Sequence, residues 1–317
     1  MKLHYKILLT VLLITTVLSC TGCISTFVVT KYDRNYVKPL AVDWNADVGD
    51  IYYDIPFGSW DDTYYDLYIP KNLRGDKEYA LILFIHGGSW NAGDKADEDI
   101  WCKYFASKGY ITATIDYSLM TEGSDVDINM MNDQIFACVA AIKEDCANRG
   151  YEIKQMATSG MSAGGHLAML YAYSHADDSH IPVKFVFQQV GPAGFHIEYW
   201  GGTEENAEEL AASTSAWTGK NITPEMVRDG SYRALVNEIS PASLVNENTV
   251  PTLCAYAAND TLVPPIHKEK LFEQFEKYNV IYRCVFYENS DHTLMNDKAK
   301  QEEFIQLALQ YCDEYFK

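Results

Sequence analysis

From about residue 49 the chain alternates short apolar runs with longer amphipathic stretches. Tyr64, Asp66 and Tyr68 alternate with Tyr65, Leu67 and Ile69, a period of two that predicts an exposed early strand. Residues 80–85 (ALILFI) are continuously apolar, as in a strand buried on both faces. Residues 111–115, an extended run ending near Ala157, and residues 183–190, 252–257 and 281–287 read as further strands. Helical stretches separate them at about 97–107, 127–148, 163–175, 267–278 and 297–316. Strands alternating with helices predict an α/β fold, with a mostly parallel central sheet, helices on both faces and right-handed crossovers. One segment breaks the rhythm. Residues 194–240 contain Tyr199, Trp200, an acidic patch (Glu204, Glu205, Glu208, Glu209) and Trp217. They are too many for a simple connection and read as an inserted cap or lid, the alternative being a peripheral decoration.

The first 45 residues follow a different pattern. Lys2 and Lys6 precede an uncharged apolar run, 7–18, and then Ser19-Cys20-Thr21-Gly22-Cys23. A basic start, a short apolar core and small residues at its end read as a secretory signal over 1–22. The cysteines resemble a bacterial lipobox, where lipid is attached to the new N-terminal Cys. Two registers compete: Cys23 follows Thr21-Gly22, and Cys20 follows Val17-Leu18-Ser19, with Cys23 preferred. An uncleaved anchor over 7–29 is the alternative. Both place residues 46–317 outside the cytoplasm on a membrane, with 23–45 as a tether.

Composition narrows the classes further. The 317 residues are 48% hydrophobic and 22% charged, enough for one large domain with a full core. The net charge of −19 argues against nucleic acid, whose phosphates demand basic patches. Beyond the leader, Cys102, Cys138, Cys146, Cys254, Cys284 and Cys312 show no C-x-x-C spacing and no zinc pattern with histidine. Cys254 and Cys284, in apolar runs, read as buried free thiols.

The candidate chemistry centres on Gly160-Met161-Ser162-Ala163-Gly164, a G-x-S-x-G pattern between a strand-like and a helix-like run. Such a turn strains the serine and leaves no room for bulk two residues either side. Ser162 is therefore the expected nucleophile. Upstream, His86-Gly87-Gly88-Ser89-Trp90 follows the buried strand at 80–85. Backbone N–H groups of Gly87 or Gly88, with that of Ala163, would stabilise a tetrahedral oxyanion. His86 would hold that loop, and Asp116 would brace it. Downstream, Asp260 and His292 each sit just past a strand, one strand apart. In a parallel sheet those ends share an edge with Ser162, so Asp260 would orient His292 and His292 would take the serine proton. Asp291 reads as a loop cap and His166 as packing. Ser89, Trp90, Tyr199 and Trp200 are candidate pocket residues; with Trp217 they equally suit a cap core.

Taken together, HGGSW at 86–90, IDYSL at 115–119, GMSAGGHLA at 160–168, NDTLVP at 259–264 and SDHTL at 290–294 resemble the α/β-hydrolase esterase/lipase group. That group includes hormone-sensitive-lipase-like and feruloyl-esterase-like enzymes. The resemblance implies the α/β-hydrolase fold and hydrolysis of carboxylic esters through an acyl-serine, without metal or cofactor. It implies a small-molecule or carbohydrate ester as substrate, with acetyl or feruloyl esters of carbohydrates as candidates. Ser89 stands where an HGGG loop has its last glycine. Amide hydrolysis, as in peptidase-like or arylformamidase-like relatives, and a non-catalytic binding protein on the same scaffold are the alternatives.

Overall fold

Residues 80–85 have no polar position because the strand they form is covered on both sides. In the computed structural model, which describes residues 38–74 and 78–317, this strand is β3 (Glu78–Ile85). Leu81, Leu83 and Ile85 enter one apolar core, and Ala80, Ile82 and Phe84 enter another on the opposite face. The period of two is still present, but both of its phases are buried.

The sheet has eight strands in the order β1-β2-β4-β3-β5-β6-β7-β8. They are β1 (Gly49–Pro56), β2 (Tyr64–Pro70), β3, β4 (Ile111–Ile115), β5 (Glu152–Met161), β6 (Val183–Gln189), β7 (Thr252–Ala257) and β8 (Tyr282–Tyr287). Strands β3 to β8 pair in parallel, and β1 and β2 run antiparallel at one end. Helices α1 (Asp99–Ser107) and α9 (Lys298–Tyr315) cover one face through Phe105, Phe304 and Tyr311. Helices α2 (Ile128–Asn148), α3 (Ala163–Ser174) and α8 (Ile266–Tyr278) cover the other through Ile135, Leu167 and Phe275. This is the α/β-hydrolase fold.

Two expectations need correction. β2 is not exposed: Tyr65, Asp66, Leu67, Tyr68 and Ile69 are all buried, because β1 lies outside it at the sheet edge. Its polar groups misled the reading because each has a buried use. The Tyr65 hydroxyl donates to Asp145 at 3.2 Å, the Tyr68 hydroxyl donates to Asp99 at 2.9 Å, and Asp66 accepts from Asp54 N–H at 2.8 Å. The tether expected over 23–45 also ends early. Leu40 is buried in the second core, and Trp44 meets Tyr68 edge-on at 6.2 Å, so residues 40–44 already pack on the domain. The signal, the rest of the tether, Cys20 and Cys23 lie outside the described residues. Among the described residues, no helix is long and apolar enough to cross a membrane, and the six cysteines are free thiols, Cys284 half-buried and the others buried.

One charged cluster ties the antiparallel end to the rest. The Lys95 ammonium is nearly buried and lies 2.8 Å from Asp54, 3.1 Å from Asp116 and 3.9 Å from Asp66. Burial holds the Asp66 carboxyl above the usual range, against the pull of Lys95. Lys95→Met leaves three carboxylates with no cation and is expected to cost about 3 kcal/mol at pH 7. The loss should shrink as Asp66 protonates at lower pH. Urea unfolding at pH 7 and pH 4.5 measures both, and a variant as stable as the wild type at pH 7 would remove the argument.

Candidate active site

The turn from β5 into α3 is shaped by how closely β3 approaches it. A Cβ at Gly160 would stand 2.4 Å from the Ile85 carbonyl oxygen, and one at Gly164 only 1.9 Å from the same atom. No side chain fits at either place. Between them Ser162 is forced to φ 57°, ψ −123°, a conformation that costs a non-glycine residue of order 1–3 kcal/mol. Its N–H donates to the Gln189 carbonyl at 2.8 Å, which ties the turn to β6.

Parallel pairing brings the ends of β3, β5, β7 and β8 to one edge, with Ile85 opposite Gly160 and Ala257 opposite Tyr287. The loops beyond them meet there. The Asp260 carboxylate, 4% exposed, accepts from His292 Nδ1–H at 2.8 Å through Oδ2. Its Oδ1 accepts from Leu262 N–H at 2.9 Å and Val263 N–H at 2.8 Å. With Nδ1 bearing the hydrogen, His292 Nε2 is an acceptor, and it lies 2.9 Å from Ser162 Oγ. The structure thus brings Ser162, His292 and Asp260 into one hydrogen-bonded line across a sequence span of 130 residues.

The loop that presents His292 is organised by Asp297, a residue the sequence reading missed. Its carboxylate accepts from Asn289 N–H at 3.0 Å, Asn289 Nδ2 at 2.8 Å and Ser290 Oγ at 2.7 Å. Its place just before α9 is a helix-start signal that could have singled it out. Asp291 accepts from Thr293 N–H and Oγ–H, as a loop cap does.

Gly87 lies against the nucleophile: a Cβ there would be 2.8 Å from the Met161 carbonyl oxygen and 3.6 Å from Ser162 Cβ. Gly88, Ser89 and Trp90 follow with φ of 112°, 53° and 61°. Among the described residues, the N–H groups of Gly87, Gly88 and Ala163 donate to no protein acceptor; Ala163 opens a helix, where N–H groups are free by geometry. His86 is buried, donates from Nδ1 to the Gly87 carbonyl at 2.7 Å and stacks on Tyr117 at 4.2 Å. Asp116 accepts from Lys95 N–H at 2.7 Å, just beyond the loop.

The segment 194–240 is helical and stands over this edge. It contains α4 (Ala207–Thr218), α5 (Pro224–Asp229) and α6 (Arg233–Asn237), and α7 (Pro241–Leu244) follows it. Phe195, Trp200 and Trp217 pack together, and Trp90 of the glycine loop joins them at 5.4 Å from Phe195 and 6.5 Å from Trp217. Residues 194–240 therefore reach the glycine loop through Trp90. The candidate pocket residues divide: Ser89, Trp200 and Trp217 keep accessible surface, while Trp90 and Tyr199 are buried packing at 6% exposure each. Among the described residues, no group of three His, Cys, Asp or Glu side chains is placed to hold a metal ion.

Two buried histidines lie beneath the cap. His166 is fully buried, and burial lowers it to about 4. His267 accepts from Ala193 N–H at 3.1 Å, and burial, then the nearby His166, lowers it to about 3. An unfolded histidine titrates near 6.5. Between those values the unfolded chain binds the extra proton, so the stability that neutral His267 contributes is complete above about pH 6.5 and is lost as pH falls. His267→Asn keeps an acceptor for Ala193 and removes the titration. The slope of unfolding free energy against pH, from urea titrations between pH 4 and 6, should fall by about 1.4 kcal/mol per pH unit. An unchanged slope would mean that the folded protein already carries that proton.

The BD-FAE family profile matches residues 65–275. The chain is similar to the probable isoprenylcysteine alpha-carbonyl methylesterase ICMEL1 of Arabidopsis thaliana, 22% identical over 246 residues, which cover 72% of this chain and 48% of that protein. It is also similar to the kynurenine formamidase of Danio rerio, 26% identical over 117 residues, covering 37% of each. The chain thus spans half or less of those relatives' length. Among solved structures, a truncated carbohydrate esterase from gut microbiota superposes with a TM-score of 0.67 at 16% identity, covering 84% of this chain and 98% of that one. Esterase B from Lactobacillus rhamnosis superposes with a TM-score of 0.65 at 19% identity, covering 91% and 93%. These structural likenesses establish the fold.

Proposed function

The chain belongs to the BD-FAE family, and from that premise we propose that it is a serine carboxylesterase. The observation that carries the proposal is the line from Ser162 Oγ through His292 to Asp260, at 2.9 and 2.8 Å, beside N–H groups that donate to no acceptor among the described residues. His292 Nε2 takes the hydroxyl proton as Ser162 Oγ attacks the ester carbonyl. Asp260 holds the ring in the tautomer that accepts at Nε2 and stabilises the imidazolium that forms. The tetrahedral oxyanion is met by the N–H groups of Ala163 and of Gly87 or Gly88. His292 then returns the proton to the leaving alcohol, giving an acyl-serine. Water, deprotonated by the same ring, attacks the acyl-serine and releases the acid.

An aromatic surface supports the choice of substrate class. Trp200 and Trp217 keep accessible surface, and Trp217 packs near Trp90 of the glycine loop; flat aromatic rings suit aryl groups and sugar rings. We assign acetyl or feruloyl esters of carbohydrates as the substrates. The leader at 1–22 and a lipid on Cys23 or Cys20 would hold the enzyme outside the cytoplasm, on a membrane, where such polymers are met. Metabolic lipid labelling, lost in one cysteine variant and retained in the other, tests that placement. The likeness to a kynurenine formamidase supports a second reading, hydrolysis of an aryl formamide by the same residues.

Ser162→Ala is expected to lower kcat on p-nitrophenyl acetate by at least about 10³, with circular dichroism and Tm unchanged. His292→Gln should do the same, and a fluorophosphonate should label the wild type at Ser162. Activity surviving in Ser162→Ala places the nucleophile elsewhere. Parallel assays on feruloyl and acetyl sugar esters and on an N-formyl arylamine decide between the two readings.

A further inference from the structure

His166 lies one turn beyond the nucleophile, with its N–H donating to the Ser162 carbonyl at 2.9 Å. Its ring is fully buried and takes no part in the Ser162–His292–Asp260 line. Both ring nitrogens are nevertheless occupied, and each by a different part of the site. Trp90 Nε1–H donates to His166 Nδ1 at 3.1 Å, so Nε2 carries the hydrogen and donates to the Ile239 carbonyl at 2.8 Å. Trp90 belongs to the glycine loop, and Ile239 stands at the far foot of the cap. The near foot also reaches the ring: Phe195 packs edge-on against His166 at 4.9 Å. The two feet are joined to each other by Phe195 N–H donating to Ser240 Oγ at 3.0 Å.

The loop needs such a tie. Gly88, Ser89 and Trp90 hold positive φ in succession, and residues in that region persist only where their surroundings over-determine them. Beyond its packing on Phe195 and Trp217, Trp90 is held by two hydrogen bonds: Met120 N–H donates to its carbonyl at 2.9 Å, and its indole N–H donates to His166 at 3.1 Å. The first fixes the backbone at the loop's end, and the second fixes the side chain against the helix that follows Ser162. Losing the second frees the strained residues to relax away from the position in which Gly87 and Gly88 face the oxyanion.

We propose that His166 is a positioning residue of this site: its Nδ1 holds the oxyanion loop against the nucleophile helix, and its Nε2–H fixes the foot of the cap that bears the substrate surface. The proposal rests on the esterase reading above. The two nitrogens should be separable. His166→Gln keeps an amide N–H able to reach Ile239 but offers Trp90 no acceptor at the Nδ1 position. His166→Asn keeps an oxygen near the Nδ1 position but falls short of Ile239. Trp90→Phe removes the donor and keeps the ring.

The test is steady-state hydrolysis of p-nitrophenyl acetate, with rates expressed per fluorophosphonate-titrated site so that partial unfolding drops out. His166→Gln and Trp90→Phe should each lower kcat about tenfold, and the double variant should be no worse than either single one. His166→Asn should keep kcat within about twofold and raise KM several-fold for a feruloyl or acetyl sugar ester, with a smaller change for p-nitrophenyl acetate. A ring that merely packs would lower Tm in all three variants and leave kcat per titrated site unchanged. That result, or additive losses in the double variant, overturns the proposal. A wild type that hydrolyses no ester and takes up no fluorophosphonate withdraws the functional reading itself, and is seen before any variant is compared.

Discussion

The geometry of this molecule turns on one close approach: the carbonyl oxygen of Ile85, at the end of β3, against the turn that carries Ser162. Because that oxygen leaves no room for a Cβ at Gly160 or Gly164, the turn can be made only with glycine on either side of the serine. Because the turn is that tight, Ser162 must take a positive φ and its Oγ stands clear of the sheet edge. The same approach puts Gly87, two residues past Ile85, against Ser162 Cβ. A single contact between neighbouring strands therefore sets the nucleophile and the donors for its intermediate together. Nothing in it depends on the loops from β7 and β8, which need only arrive at the same edge.

Those loops arrive by a different logic. Asp260 is buried beside His292 and would be expensive to keep charged in isolation. Two backbone N–H groups and one imidazole N–H satisfy it, and this both fixes its direction and sets which nitrogen of His292 carries the hydrogen. Asp297 does the same for the loop on the other side, gathering three donors from residues 289 and 290. Acid and base are thus held by backbone geometry at the starts of two loops, and the long separation in sequence costs them no precision.

What could be read from the sequence was whatever local chemistry made unavoidable. The doubly covered strand at 80–85, the glycines at 160 and 164, and the spacing of Asp260 and His292 past their strands were all legible, because each is forced by sterics or by periodicity. β2 reads as exposed because Asp66 and Tyr68 look solvent-facing until Asp54 and Asp99 are seen to meet them; long-range partners leave no trace in a local pattern. Leu40 and Trp44 read as tether for the same reason, since the core that receives them lies far along the chain. The pocket residues were the least legible. Trp90, Tyr199, Trp200 and Trp217 are alike in type, and only tertiary packing divides them into buried supports and accessible faces.

The distribution of backbone strain supports the same assignment of roles independently of any motif. Of the eight non-glycine residues with positive φ among the described residues, Ser89, Trp90, Ser162, Val190 and Leu294 lie in the loops at the carboxyl edge of the sheet. Asn279, by contrast, ends a helix, where a left-handed residue is an ordinary cap. Each of the five costs of order 1–3 kcal/mol, and a fold free of constraint would have relaxed them or filled them with glycine. They are tolerated because the two cores behind the sheet hold the strands that lead into them, and because specific bonds hold the residues themselves: Ser162 N–H to Gln189, Val190 N–H to Ala255, the Trp90 indole to His166. Asp54 and Asp62 lie at the antiparallel end of the sheet, but most of the strain gathers at the edge where Ser162 and His292 meet. Stability is therefore given up where a fixed, unrelaxed arrangement of donors and nucleophile has a chemical use.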